Sequence, residues 1–125
     1  MTINIYAAWI GILLGSLAGA VQGMFFDRET WLGGYSSWKR RMLRLGHISF
    51  FGIAFINLAF AFSAIVLGLD DRVGIPSVLF LVGAVCMPLV CYLSAIKAVF
   101  RHLFFIPAVS VIAGIILFIW SMYKG

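Results

Sequence analysis

Polar and apolar residues in this chain fall into blocks rather than alternating. Four long apolar stretches, at residues 5–26, 45–68, 76–96 and 103–123, are separated by short polar connections. Each reaches the roughly 20 residues needed to cross a bilayer core of about 30 Å. Backbone N–H and C=O groups find no water in lipid, so each stretch is predicted to be an α-helix whose hydrogen bonds close within it. The expected fold is an all-α integral membrane protein, one transmembrane domain over residues 1–125, with four helices in an up-down-up-down bundle. Asp70, Asp71 and Gly74 mark the turn between the second and third spans, and Pro76 suits the first position of a helix, where a missing N–H costs nothing. The link "KAVFRH" is so short that the third and fourth spans must form a helical hairpin. Pro88 removes one backbone bond inside the third span and is predicted to kink it. Pro107 marks the first turn of the fourth if "FRHLFF" is instead an interfacial or re-entrant segment. The first apolar run has no basic stretch before it and is long enough to span, so it reads as a retained helix rather than a signal peptide.

Composition agrees with the pattern. Hydrophobic residues make up 64% of the chain and charged ones 10%, against about 25% charged in soluble domains. The formal charge of +5 does not point to nucleic acid, because the cations stand at the ends of apolar segments, where anionic lipid headgroups are their natural partners. Arg28, Lys39, Arg40, Arg41, Arg44, Lys97 and Arg101 fall on one side of the predicted topology, and Arg72 and Lys124 on the other. By the positive-inside rule, loops 27–44 and 97–102 are cytoplasmic and both termini face outward (N-out, C-out), in what is expected to be a bacterial inner membrane. Trp9, Trp31, Trp38, Trp120 and Tyr123 fall near the predicted interfaces, as an aromatic belt would. Within loop 27–44, Ser36 and Ser37 precede a helix-compatible basic run and offer N-cap chemistry, so the second helix either begins there or is preceded by a short interfacial piece.

Small residues identify packing faces. Gly11, Gly15, Gly19 and Gly23 recur every four residues and form a GxxxG face that lets another backbone come close. It is expected to pack on a helix, either of this chain or of another membrane subunit. Ala54, Asn57, Ala61 and Ala64 make a similar stripe on the second span. An amide at the depth of Asn57 needs an interhelical hydrogen bond, for which Gln22, Ser94 and Ser110 are partners by type. Cys86 and Cys91, five apart on one helix, lie about 140° apart around its axis and cannot pair.

Candidate chemistry is sparse. His47 and His102 enter the second and fourth spans at matching predicted depth. Two such imidazoles could ligate haem b axially, with Arg40, Arg44 or Arg101 meeting the propionates, or the same region could hold a quinone or a lipid phosphate. Met87 and Cys91 could offer soft ligands to copper, but they lie deeper than the histidines and would not converge with them. The four acids, Asp27, Glu29, Asp70 and Asp71, are all in connections, so there is no intramembrane carboxylate of the kind that small four-helix multidrug transporters use, and no catalytic constellation. The expected function is a small non-catalytic membrane subunit packing within a larger complex, an electron-transfer assembly above all. The alternatives are a haem b- or quinone-binding subunit using His47 and His102, and a small transporter or channel resting on Asn57 and the prolines.

Overall fold

A computed structural model describes all 125 residues. Four long helices, α1 (Thr2–Gly23), α2 (Trp38–Val66), α3 (Gly74–Ile96) and α4 (Phe105–Lys124), are joined through short 3-10 turns at Trp31–Gly33, Asp70–Arg72 and Ala98–Leu103. The chain thus has four helices long and apolar enough to cross a membrane.

The helix ends depart from the apolar blocks for local reasons. α2 begins at Trp38, ahead of its apolar stretch, because Ser37 is extended and its hydroxyl accepts the Arg40 N–H at 3.2 Å. That bond satisfies one of the donors a helix start leaves open. With 29 residues, α2 is about 44 Å long at 1.5 Å per residue. It is longer than an apolar core of about 30 Å, and the basic run occupies its first two turns. Its far end closes around Gly68, whose φ of 63° favours glycine. There the Leu69 N–H reaches Ala64 O at 2.9 Å and the Gly68 N–H reaches Ile65 O at 3.2 Å. This is the Schellman pattern, and Leu69 and Ala64 are both buried in the core beside it. Pro76 and Pro107 each occupy the third position of their helix, where the missing N–H would be an orphan anyway. α3 runs as one helix through Pro88. The "FRHLFF" segment divides between the 3-10 turn, which ends at Leu103, and α4, which begins at Phe105.

α2 and α3 form the middle of the molecule: 39% of the most apolar stretch of each is buried, against 17% for α1 and 22% for α4. α1 packs mainly on α2 and more lightly on α3, while α4 packs on α3. The core gathers Ile53, Phe60, Ala64, Leu69, Val73, Phe80, Val111 and Phe118. Within it, Phe60 meets the rings of Phe80 and Phe118, each at 4.9 Å between centroids. Such tilted and edge-on contacts gain more than area alone.

Glycines set the helix spacing. A Cβ on Gly11 would stand 3.2 Å from the Ala54 Cβ, one on Gly15 would stand 2.9 Å from the Phe51 ring, and one on Gly19 would enter the His47 imidazole. Residue numbers therefore rise along α1 as they fall along the face of α2 against it. A Cβ on Gly23 would meet nothing within 4 Å. Three of the four glycines of the expected packing face thus meet α2 of the same chain. Gly114 receives the Phe80 ring in the same way where α4 crosses α3.

Asn57 is fully buried, but none of the partners expected by residue type is used. Its Oδ1 accepts from Asn4 Nδ2 at 2.8 Å, and its own Nδ2 donates to Ile53 O at 3.0 Å and Phe80 O at 3.3 Å. Asn4 Nδ2 also reaches Ser77 O at 3.2 Å, and the Ser77 hydroxyl donates to Asn4 Oδ1. One polar knot thereby ties α1, α2 and α3 together. Ser110 instead bonds Leu79 O at 2.6 Å, joining α4 to α3.

Candidate functional site

The start of α2 forms the first region of interest. Arg40 is 2% exposed, an expensive location for a cation unless something replaces its water. Its guanidinium donates to Phe26 O at 3.3 Å and to Arg28 O at 3.4 Å. It also lies over the rings of Phe26, Trp31 and Tyr35 at 5.2 to 5.9 Å from their centroids. Carbonyls and π-faces thus stand in for a carboxylate, and Arg40 pins the loop after α1 onto α2. Arg44, one turn on, stacks over Tyr35 at 4.1 Å. Trp38 Nε1 donates to Ser94 O at 2.7 Å and fastens the same end of α2 to α3.

His47 lies on the same face as Arg40 and Arg44, at i+7 and i+3. Its ring fills the space over Gly19 and stands edge-on to Phe51 at 5.4 Å. His102 and Arg101 are elsewhere, both exposed on the Ala98–Leu103 turn that packs on α3. The two histidines therefore have separate surroundings, one inside the α1–α2 contact and one on the surface. The His47 imidazole packs over Gly19 of α1, while that of His102 stands on the exposed turn. Arg40 and Arg44 cluster with His47, while Arg101 stays with His102. No three side chains of the His, Cys, Asp and Glu types converge as a metal site would require.

Five buried side-chain polar atoms have no hydrogen-bond partner: Gln22 Oε1, Arg40 Nε, Arg44 Nη1, His47 Nδ1 and Ser94 Oγ. All five belong to the end of the molecule where α1 and α3 finish and α2 begins. Buried polar atoms are nearly always paired, so such a concentration marks a region built differently from the rest.

The second region is a groove between α1 and α3 with α2 as its floor. Three adjoining hollows of about 480, 500 and 420 Å³ all include Tyr92 in their walls. The part farthest from the start of α2 is lined by Gly11, Ala54 and Ala84, whose small side chains leave the space between the walls unfilled. The middle part holds Gln22, whose Nε2 donates to the Tyr92 hydroxyl at 3.0 Å. The third hollow continues past α1, between the start of α2, the end of α3 and Leu32 of the connecting turn, and holds Lys39. Volumes of this order are typical of sites for small molecules. The sequence had not singled out Gln22 with Tyr92 as a pair, because residues 70 positions apart meet only through the packing of α1 beside α3.

Set against models of known protein families, characterised proteins and solved structures, the chain matches none of them.

Proposed function

We propose that this chain is a small non-catalytic subunit that packs within a larger membrane protein complex. The observation that carries the reading is the state of α4. It spends one flank on α3 and turns Ile112, Ile116, Ile119, Trp120 and Tyr123 outward, more than half exposed in each case. Ile116, Leu117, Ile119, Trp120 and Tyr123 also frame a shallow apolar hollow of a kind that a neighbouring helix fills. The polar side chains at depth support the same reading. Asn4, Asn57, Ser77 and Ser110 are spent on joining helices to one another, which leaves them no spare groups for conduction or chemistry.

In this reading the helices run up-down-up-down, with both termini outside and loops 27–44 and 97–102 in the cytoplasm of a bacterial inner membrane. The support is the seven cations on one side against two on the other. The first host we propose is an electron-transfer assembly, by analogy with the small helical accessories such assemblies carry. The reading is tested by native electrophoresis of solubilised membranes, with cysteine cross-linking from Ile116 and Ile119. Comigration with larger chains and heterologous cross-links at these positions are expected. Migration only as a free monomer, without cross-links, would reject it.

A further inference from the structure

We propose that the groove between α1 and α3 is a binding site for one anionic phospholipid, with an acyl chain lying along the groove and the phosphate held at its mouth. This goes beyond the subunit reading and does not depend on it. The argument is the order in which chemistry changes along the groove. Its inner part, about 480 Å³, is walled almost wholly by apolar residues and made wide by Gly11, Ala54 and Ala84. Next come Gln22 and Tyr92, the one polar pair in its wall. Lys39 stands last, in the hollow that continues from Leu43 and Tyr92 past α1, between α2, α3 and Leu32. Acyl chain, glycerol linkage and phosphate follow one another in the same order in a phospholipid.

The depth agrees. Gln22 is the penultimate residue of α1, and Tyr92 lies four residues before the end of α3. At 1.5 Å per residue, both lie within about one turn of their helix ends, at the end of the molecule where the cations gather. Gln22 is 6% exposed, and one polar atom of its amide has no partner. That atom is covered in the free protein; with the amide turned so that its oxygen accepts from the Tyr92 hydroxyl and the side chain swung toward the groove, its N–H can donate to an ester carbonyl of the lipid. The mouth favours a negative headgroup, because its end of the molecule carries seven Lys and Arg residues against Asp27 and Glu29 alone.

The test is native mass spectrometry of the whole chain in mild detergent, titrated separately with phosphatidylglycerol and with phosphatidylcholine of identical chains. One phosphatidylglycerol per chain is expected, retained at least tenfold more strongly than phosphatidylcholine. Lys39→Gln, at an exposed position, should abolish that preference. Val85→Trp, on the exposed lip of the groove, should block both lipids, with an unchanged unfolding temperature showing that it folds. Tyr92→Phe should weaken retention severalfold. Inorganic phosphate at millimolar concentration should not displace the lipid; full displacement would mean an anion site without a chain groove and would overturn the proposal. Equal retention of the two lipids, binding indifferent to Val85→Trp, or stoichiometric displacement by a short-chain quinone would overturn it as well.

Discussion

The two ends of the helical unit treat buried polar groups in opposite ways. Near the start of α1, Asn4, Asn57 and Ser77 close on each other and on the carbonyls of Ile53, Ser77 and Phe80, and none of their side-chain polar atoms is left unpaired. At the other end, Gln22, Arg40, Arg44, His47 and Ser94 are each buried with one polar atom unsatisfied. The first end is a fastening, complete in itself. The second is held by rings and single bonds, and opens beside the groove that runs to Tyr92 and Lys39.

The largest expected effect is at the closed end. Asn57→Ala removes three hydrogen bonds at a fully buried position, two of them between helices; interhelical bonds in membranes each contribute about 0.6–2 kcal/mol and the cavity adds to that, so a loss of about 2–4 kcal/mol is expected. Reversible unfolding in mixed micelles measures it, and a loss under about 1 kcal/mol would remove the distinction between the ends. Gly19→Leu comes next. Its side chain must displace His47, and overpacking of this kind costs about 1–3 kcal/mol. Pairing it with His47→Ala should recover much of that loss in a double-mutant cycle. If the two effects simply add, His47 is not what Gly19 makes room for.

Arg40→Ala should cost about 1–2 kcal/mol, by loss of its contacts to Phe26 and Arg28 and of three ring contacts. Its signature is local: amide exchange should rise in residues 24–36, while the protection of α3 stays as it was. A global loss larger than that of Asn57→Ala would reverse the comparison. The smallest effect is that of Ser37→Ala, which removes the cap of α2 and should cost about 1 kcal/mol. It should appear as faster exchange at Arg40 and Arg41 only.

Much of the fold could be read directly from the chain. An apolar run of some 20 residues has one solution in lipid, so the four helices follow from hydropathy alone. The Ser37 cap and the spacing of Gly11, Gly15 and Gly19 were also visible, since both depend on residue identity at fixed offsets along one helix. The site was less legible. Asn4 stood outside the predicted first span, at residues 5–26, and gave no sign that it meets Asn57, 53 positions on. Matching depth along the chain puts His47 and His102 at one level, but depth says nothing about rotation about the helix axis, and rotation directs His47 at Gly19.

What the sequence determined alone is therefore everything set by transfer from water to lipid: which segments are helical, how many there are, and where the cations gather. These depend on each residue and its near neighbours. Only the tertiary structure decided which faces meet. It spent the glycine face on α2 rather than leaving it free, joined Asn4 to Asn57 and Gln22 to Tyr92, and left a groove between α1 and α3. The reason is physical: in lipid every apolar face is nearly equivalent in solvation, so close packing and hydrogen bonds between distant residues select the arrangement.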